Sequence, residues 1–303
     1  MKIRKLAAID IGSNAIRLLI HNVIEQIGKE TQFKKSSLVR VPVRLGEDSF
    51  TIGEISPHNE SRIIKTMQAF KLLMDVAGIE KYMACATSAM REANNGDEII
   101  KRIAEEASVK IDLIDGAKEA SIIASTDLKQ LIQQDKSYLY IDVGGGSTEF
   151  TLFSEGSVQV SKSFKLGTVR LLNGMVKDAL WNRLEEWIKE HVKDKNAISI
   201  IGSGGNINKL HKMSGRKEGE PLSYLWLNAQ YRFLESLTYE ERISELGLNP
   251  DRADVIIPAT RIFLSSAKWS GAKKIHVPKI GLSDGIIKTL YYSDMANGTV
   301  NKK

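Results

Sequence analysis

The chain has 303 residues, of which 42% are hydrophobic and 26% charged, and its formal net charge is +6. These values are typical of a folded globular protein with one large or two ordinary domains. Lysine and arginine are spread along the chain apart from basic ends at 2–5 and 302–303, so we expect no nucleic-acid partner. No apolar run reaches the roughly 18 residues of a membrane span, so we expect no membrane partner either.

A single cysteine and the pattern at the N-terminus bear on the compartment. Cys85 is the single cysteine, so an intramolecular disulfide is excluded, and its place in the apolar run 83–86 favours a buried, inert thiol over a nucleophile. Asp10 interrupts the first apolar stretch before a signal-peptide core could form. We therefore expect a cytoplasmic protein.

Strand and helix patterns alternate along the first half of the chain. Apolar alternation predicts three strands, at 6–11, 15–23 and 33–43. The spacing of apolar residues then predicts a helix at 59–76 that ends before Gly78. The remaining predictions are a strand at 82–86, a helix at 97–107, a strand at 109–114 and a helix at 117–131.

The second half opens in the same way, with three strands. The predicted elements are strands at 137–143, 148–154 and 157–165, helices near 168–176 and 178–193, a strand at 197–201 that runs into a glycine-rich turn and a helix, helices at 223–237, 239–245 and 251–269, a strand at 274–277 and a last helix at about 284–298. This alternation indicates an α/β fold of two domains with mixed sheets, 1–125 and 126–303. We expect the last helix to pack back on the first domain.

Two short segments, one in each half, follow the same pattern. Each is an apolar strand that ends in an aspartate, Asp10 or Asp142, and continues through a glycine-containing turn into a second apolar strand. Such turns can direct several backbone N–H groups at one anion. The residues of the two turns are therefore candidate phosphate ligands: Gly12, Ser13 and Asn14 in the first, and Gly144, Gly145, Gly146, Ser147 and Thr148 in the second.

The glycine turns differ in how strongly they indicate a ligand. Gly12-Ser13-Asn14 alone is equally compatible with a structural turn. Three consecutive glycines at 144–146 give no packing in return for their flexibility, which favours a close approach of the backbone to a ligand. A third turn, at 202–206, either presents the free N–H groups at the start of a helix to an anion or a nucleotide, or is a plain turn into the helix.

Several motifs in order along the chain carry a resemblance to a known family. They are Asp10 to Asn14 with Arg17, Arg44 to Glu47, Ala86 to Ala93, Gly116 to Ala120, Asp142 to Glu149, Leu166 to Leu171, Gly202 to Asn206 and Arg252 to Ala259. In these motifs the chain resembles the exopolyphosphatase / guanosine pentaphosphate phosphohydrolase (Ppx/GppA) family of the actin-like ATPase superfamily. The resemblance implies two ribonuclease-H-like domains, an interdomain cleft, and Mg²⁺-assisted hydrolysis of a terminal phosphate from polyphosphate or guanosine pentaphosphate.

The resemblance also assigns roles to carboxylates. Glu119 matches the family's catalytic glutamate, and a carboxylate there could activate the attacking water. The alternative is a solvated carboxylate in the first turn of a helix. Asp142, Asp10 and Glu149 are the candidate metal residues, because Mg²⁺ prefers hard carboxylate oxygens. Their alternatives are Asx turns for the two aspartates and an exposed strand position for Glu149.

Further polar residues are compatible with either a functional or a structural role. Arg91 matches a substrate-binding arginine of the family, and its guanidinium suits bidentate phosphate recognition. Arg17 and Arg170 could equally be partners of surface ion pairs. Thr87-Ser88 could donate to phosphate or cap the following turn. The histidines are widely separated in the sequence and show no metal-ligand spacing.

The chain departs from the family pattern at several points. Lys118 replaces the first of two adjacent glutamates, the turn at 202–206 ends in Asn206 rather than threonine, and the motif near the C-terminus contains Ser283-Asp284. Longer family members add a helical C-terminal half. The shorter chain leaves short polyphosphates and nucleotide polyphosphates open as substrates.

The sequence therefore favours an Mg²⁺-dependent phosphohydrolase with Glu119 as the residue that activates water. The alternatives are a polyphosphate- or nucleotide-binding sensor with little turnover, and a kinase of the same superfamily. The expected partner is a small-molecule or polymeric phosphate substrate, and a homodimer is compatible with the sequence.

Overall fold

The computed structural model describes residues 1–124, 126, 128–193 and 198–300. The chain forms two compact units. Unit 1 comprises Met1–Thr126 with Leu282–Lys303, and unit 2 comprises Asp127–Gly281. The boundary predicted after residue 125 falls on a residue outside the described part.

Strands and helices alternate throughout the described residues. The strands are β1 (Lys2–Ile11), β2 (Ile16–Glu25), β3 (Gln32–Val41), β4 (Lys81–Ala86), β5 (Asp112–Leu113), β6 (Ser137–Val143), β7 (Thr148–Ser154), β8 (Ser157–Phe164), β9 (Ile198–Ser203), β10 (Leu222–Ser223) and β11 (Lys274–His276). The helices are α1 (Leu45–Thr51), α2 (Pro57–Ala77), α3 (Ser88–Glu92), α4 (Gly96–Ala107), α5 (Gly116–Ala124), α6 (Leu128–Leu131), α7 (Thr168–Leu172), α8 (Asp178–His191), α9 (Gly205–Met213), α10 (Tyr224–Ser236), α11 (Tyr239–Ser244), α12 (Pro250–Ala253), α13 (Ile256–Ser270) and α14 (Leu282–Val300).

Unit 1 contains a five-stranded mixed sheet in the order β3-β2-β1-β4-β5. β1 pairs antiparallel with β2 and parallel with β4, so the carboxyl end of β1 leads into the turn at 12–15. The strand is buried from Leu6 to Ile11, because its side chains are apolar on both faces up to Asp10. This burial fixes the position of Asp10 at the end of a rigid strand.

The last helix, α14, belongs to unit 1 and packs against β1 and α5. Gly285 permits the close approach, because a Cβ at this position would lie 2.5 Å from the carbonyl oxygen of Ile122. At the other end of the helix, Asp294 pairs with Arg4 at 2.6 Å and with Lys81. These ion pairs connect α14 to β1 and β4.

Unit 2 contains a six-stranded mixed sheet in the order β10-β11-β9-β6-β7-β8. β6 pairs antiparallel with β7 and parallel with β9, which repeats the arrangement of β1, β2 and β4. Its core joins aromatic rings of the sheet to α8, with Phe150 packed edge-on against Phe164 and Trp187. The strands that lead into and out of the turn between β6 and β7 are therefore packed in the core of unit 2.

Some predicted elements are shorter than expected or divided. The strand expected at 109–114 is reduced to β5, and the helix expected at 251–269 is divided into α12 and α13. The helix expected near 168–176 ends at Leu172, since Gly174 adopts a positive φ of 65°. The helix expected at 117–131 is described as α5 and α6, and residues 125 and 127 between them lie outside the described part, as does residue 197 of the predicted strand 197–201.

Two helices, α1 and α3, were not predicted from the sequence, because five to seven residues are too few to show a helical period. No helix among the described residues is both long enough and apolar enough to cross a membrane.

Candidate active site

The turn between β6 and β7 in unit 2, residues 144–147, is called the triple-glycine loop below. Gly144 donates its N–H to the carbonyl of Ser147 at 3.0 Å and closes the turn. The segment that follows β8 packs directly behind the turn, and a Cβ at Gly167 would lie only 2.1 Å from the carbonyl oxygen of Gly145. Glycine is therefore required at 167, and also at 144, where a Cβ would lie 2.9 Å from the carbonyl oxygen of Ser147.

The carbonyl groups of the loop have partners inside unit 2. Gly144, Gly145 and Gly146 accept from Thr168 N (3.0 Å), Val169 N (2.9 Å) and Arg170 Nε (2.8 Å), respectively. Thr148, predicted as a phosphate ligand, is buried, and its hydroxyl donates to the carbonyl of Leu166. The backbone N–H groups are consequently the part of the loop that suits an anion.

A row of polar residues crosses the unit 2 sheet next to this loop. Asp142 and Glu149 are directly opposed in the β6–β7 pair, Glu149 is opposed to Ser163 on β8, and Asp142 is in register with Ser203 on β9. Opposed residues of neighbouring strands extend from the same face of a sheet, with Cβ atoms of a pair about 4.5–5.5 Å apart. The two predicted metal residues of unit 2 are thus brought together.

Glu149 is buried, with 2% of its surface exposed, so the alternative of an exposed strand position is wrong. Its Oε1 accepts hydrogen bonds from Ser147 Oγ at 2.7 Å and from Ser163 Oγ at 3.0 Å. Hydroxyl donors stabilise the charged form of a buried carboxylate and fix its orientation. Ser163 was not identified from the sequence, and only the pairing of β7 with β8 reveals it.

The glycine turn that follows β9 lies beside Asp142. Gly204 has a φ of 105°, and a Cβ there would lie 3.0 Å from the carbonyl oxygen of Val143 and 3.4 Å from Asp142 Oδ1. Helix α9 begins at Gly205, and Asn206, one of the departures from the family pattern, lies in its first turn. The turn therefore combines a structural requirement for glycine with a location next to a candidate metal residue.

The turn between β1 and β2 in unit 1 has a related geometry. Gly12 donates its N–H to the carbonyl of Ala15 at 3.2 Å, as Gly144 does to Ser147. The carbonyls of Ser13 and Asn14 accept from the N–H groups of Gly46 (2.8 Å) and Arg44 (3.1 Å), respectively. The Ser13 hydroxyl is buried and lies 3.0 Å from the hydroxyl of Ser88.

The polar row of unit 1 differs in its charges. Asp10 is opposed to Arg17 on β2, Arg17 to Arg40 on β3, and Asp10 is in register with Cys85 on β4. Arg17 Nη1 donates to Asp10 Oδ2 at 2.7 Å, so Arg17 is an ion-pair partner inside the polar row. The charge of Asp10 is balanced by an arginine at the position where unit 2 has Glu149.

Glu119 lies in the first turn of α5 and is half-buried. Its backbone N–H donates to the carbonyl of Asp115 at 2.9 Å, and the neighbouring Lys118 N–H donates to Asp115 Oδ1 at 2.7 Å. Burial in the first place, together with the charges of Asp112, Asp10 and Glu119, raises the pKa of the Cys85 thiol to about 12. Glu119 and Asp10 thus both act on the Cys85 thiol, and Cys85 is the buried, unreactive thiol that the sequence predicts.

Arg91, on α3, donates from Nη1 to the carbonyl of Ile114 at 2.5 Å. The Thr87 hydroxyl lies 3.4 Å from the carbonyl of Ile11, and no side-chain hydrogen bond caps the start of α3. Thr87 therefore occupies the N-cap position of α3, but its side chain does not cap the helix. Within the described part of the chain, no group of three or more His, Cys, Asp or Glu residues is placed to hold a metal ion by itself.

The remaining departures from the family pattern lie in unit 1. Lys118 is exposed. Asp284 lies 3.8 Å from His21 Nε2 and 3.7 Å from Lys35 Nζ, and Ser283 is buried. Ser283 and Asp284, which depart from the family pattern, consequently lie where α14 packs against the rest of unit 1.

The sequence model of the Ppx/GppA phosphatase family matches residues 23–293. The chain belongs to this family. Membership confirms the resemblance seen in the sequence motifs and supports a hydrolase of phosphate bonds.

Two relatives show how far the similarity extends. The chain is 32% identical over 295 residues to a bifunctional 3-dehydroquinate synthase/phosphatase of Fusobacterium nucleatum, an alignment that covers 88% of this chain and 43% of that protein. It is 30% identical over 320 residues to exopolyphosphatase 2 of Mycobacterium tuberculosis, with 96% of this chain and 99% of that protein covered. The chain thus spans less than half of the bifunctional relative and nearly the whole of the exopolyphosphatase.

Solved structures of the family share the fold. An exopolyphosphatase from Cytophaga hutchinsonii superimposes with a TM-score of 0.83 at 24% identity, covering 96% of this chain and 98% of that one. The Ppx/GppA family member from Aquifex aeolicus gives a TM-score of 0.75 at 22% identity, with 97% and 99% covered. The expected α/β fold with two mixed sheets is confirmed.

Proposed function

We propose that this chain is a phosphohydrolase that releases orthophosphate from the end of inorganic polyphosphate, of guanosine pentaphosphate, or of both. The observation that carries the proposal is the triple-glycine loop beside two buried carboxylates, Asp142 and Glu149. The loop suits the anionic oxygens of a phosphate, and the carboxylates suit the cation that accompanies it. The similarity to exopolyphosphatase 2 supports the same class of substrate.

The orientation of the loop backbone supports phosphate binding. In a trans peptide the C=O and the following N–H point in opposite directions, so each carbonyl held from behind turns one N–H outward. Among the described residues, none accepts a hydrogen bond from the N–H groups of Gly145, Gly146 or Ser147. Successive backbone donors of this kind can together bind an anion.

The unit 2 carboxylates fit a divalent cation better than Asp10 does. Like charges directly opposed in a sheet destabilise each other unless donors or a cation compensate them. Hard carboxylate oxygens together with phosphate oxygens are ligands that Mg²⁺ favours. We assign the metal role to Asp142 and Glu149 in the first place, because Arg17 already balances Asp10. When bound, Mg²⁺ would neutralise charge on the transferred phosphate.

Glu119 is proposed to orient the attacking water and take its proton. The reaction needs such a group, because the nucleophile is water and the products are orthophosphate and a chain shortened by one phosphate. The start of α5 holds the residue in place through the Asp115 contacts. Arg91, whose guanidinium has five donors of which one bonds Ile114, is proposed to bind a phosphate oxygen.

A panel of phosphate compounds tests the proposal. The purified protein with Mg²⁺ is expected to release orthophosphate from polyphosphates of defined length or from guanosine pentaphosphate. Glu119→Gln is expected to reduce kcat by about 10²–10⁴-fold while substrate binding persists, since general-base catalysis contributes that much. Glu98→Gln, which changes a glutamate in the first turn of α4, is the matched control and should retain full activity.

Other outcomes would contradict the proposal in distinct ways. Tight binding of the same compounds without any release of orthophosphate would favour a sensor. Transfer of phosphate to a sugar or an acid, with a nucleoside diphosphate as product, would favour a kinase. Full activity of Glu119→Gln would remove Glu119 from the mechanism.

A further inference from the structure

One short segment, residues 167–170, holds the whole triple-glycine loop from behind, and it is called the clamp segment below. Its first residue, Gly167, lies so close to the loop that a Cβ would be 2.4 Å from the carbonyl carbon of Gly146. The next three residues donate one hydrogen bond each to the three successive carbonyls of the loop. The clamp segment therefore determines the direction of the loop's peptide groups.

Arg170 differs from the other members of the clamp segment, because it acts through its side chain. Thr168 and Val169 donate their backbone N–H groups, whereas Arg170 donates Nε to the carbonyl of Gly146 at 2.8 Å. Arg170 is 9% exposed and lies in α7, so its guanidinium is held inside unit 2. A buried arginine that bonds a carbonyl makes a charge-assisted hydrogen bond, which is stronger than a neutral one.

The peptide that Arg170 holds is the one that ends in the Ser147 N–H. Because the carbonyl of Gly146 points toward Arg170, the N–H of Ser147 points the opposite way. The Ser147 side chain in turn donates to Glu149 Oε1 at 2.7 Å. One hydrogen bond thus connects Arg170 to the peptide that carries the Ser147 N–H, and a second hydrogen bond connects Ser147 to Glu149, a candidate metal carboxylate.

The carbonyls of the turn between β1 and β2 in unit 1 also accept hydrogen bonds, but from different donors. Asn14 occupies the place in its turn that Gly146 occupies in the triple-glycine loop, and its carbonyl accepts from the backbone N–H of Arg44 at 3.1 Å. Both turns are therefore held by their carbonyls from behind. In unit 2 a side chain holds the carbonyl of Gly146, so the orientation of that loop can be altered by a single substitution.

We propose that Arg170 is a positioning residue that orients the Ser147 N–H toward a bound phosphate through the Gly146 carbonyl. The inference rests on the proposed role of the triple-glycine loop as the phosphate-binding element. Removing the donor would free the Gly146 carbonyl, and the peptide could rotate away from its binding orientation. The loss would affect phosphate binding rather than the activation of water.

Steady-state kinetics of Arg170→Gln and Arg170→Lys provide the first test. We expect KM to rise about tenfold or more, because a hydrogen bond to a charged group is worth about that factor. We expect kcat to change less than KM, since uniform binding of substrate and transition state is lost. Arg242→Gln is the matched control, because Arg242 also donates to carbonyls inside unit 2, those of Leu234 and Leu237, but not to the loop.

A titration with inorganic phosphate, followed by the amide signal of Ser147 in NMR, provides a second test that does not need turnover. In the wild type and in Arg242→Gln, the signal is expected to shift with the same phosphate dependence. In Arg170→Gln, the same shift is expected to need about tenfold more phosphate. If Arg170→Gln has lost its fold, the melting temperature will show it, and Arg170→Lys then carries both tests.

The results separate this inference from the proposed function. Unchanged KM and unchanged phosphate dependence in a folded Arg170 variant would overturn the positioning role, even if the wild type is an active phosphohydrolase. Equal losses in Arg170→Gln and Arg242→Gln would also overturn it. A wild type that binds phosphate at Ser147 but releases none from any substrate would overturn the proposed function and leave the positioning role supported.

Discussion

The residue opposite each strand-ending aspartate distinguishes the two hairpins. Asp10 is opposed to Arg17 and bonds it at 2.7 Å, whereas Asp142 is opposed to Glu149. The sequence identifies all four residues, since each pair has the same spacing. It does not identify Ser163, because the hydroxyl reaches Glu149 only through the pairing of a third strand.

Ser163→Ala is expected to weaken the response to Mg²⁺. The substitution removes the Ser163 hydroxyl, which donates to Glu149 Oε1 as the Ser147 hydroxyl does. Outer partners of metal ligands are typically worth about 10–100-fold in metal affinity. The measurement is the Mg²⁺ concentration that gives half-maximal release of orthophosphate.

Ser161→Ala is the matched control for Ser163→Ala. Ser161 lies on the same strand and contacts Thr151 and Phe150 rather than Glu149. Its Mg²⁺ dependence should stay that of the wild type. An equal shift in both variants would mean that Ser163 supports the strand and not the carboxylate.

At the scale of elements, α14 packs its polar side chains against β2 and β3. His21 is 6% exposed, and both ring nitrogens lack a hydrogen-bond partner among the described residues. Burial lowers the pKa of His21, Asp284 raises it in part, and Lys35 and Lys288 lower it further. The ring therefore stays neutral in the folded protein at a pH where an exposed histidine binds a proton.

Unit 1 is expected to lose stability as the pH falls below about 6.5, the ordinary pKa of histidine. The unfolded chain then binds a proton that the buried His21 does not, so protonation favours unfolding. His21→Leu removes the titrating group and should flatten the dependence of the melting temperature on pH between 7 and 5. The half-buried His276 of unit 2, whose pKa is also lowered by burial, leaves part of the dependence in place.

His58→Leu is the control for His21→Leu, because His58 is exposed in the first turn of α2. Its melting temperatures should follow the pH as those of the wild type do. If His21→Leu keeps the acid dependence of the wild type, the buried ring is not its source.

Most elements could be predicted from the sequence where a periodic pattern runs for several turns, as in α2, or for a whole strand, as in β1 and β6. The short helices α1 and α3 could not, because their positions depend on contacts with the turn at 12–15 and with β4. For the same reason the hydroxyl pair Ser13 and Ser88 was not predicted as a contact. Local patterns determine the elements, whereas register and packing determine which side chains meet.

At the scale of the whole molecule, the two units share an internal arrangement. The orders β3-β2-β1-β4 and β8-β7-β6-β9 repeat the same antiparallel and parallel pairings. The repeat was visible in the sequence through the two Asp–Gly turns. The clamp segment was visible only as a motif, Leu166 to Leu171, since its function depends on contacts far along the chain.

Removal of divalent cations is expected to abolish turnover of the whole protein. Opposed carboxylates and a polyanionic substrate repel each other unless a cation neutralises them. Orthophosphate release measured after treatment with a chelator should fall to background and return when Mg²⁺ is added. Full activity in the presence of excess chelator would contradict the assignment of Asp142 and Glu149 to a metal.

Isotope labelling tests the proposed reaction most directly. The protein is incubated with polyphosphate of defined length and Mg²⁺ in ¹⁸O-labelled water, and the products are analysed by mass spectrometry. Attack of water on the terminal phosphorus predicts about one ¹⁸O atom in each released orthophosphate and none in the shortened chain, with the release of labelled orthophosphate strongly slowed in Glu119→Gln. Release of unlabelled orthophosphate, or a label confined to the shortened chain, would contradict terminal hydrolysis.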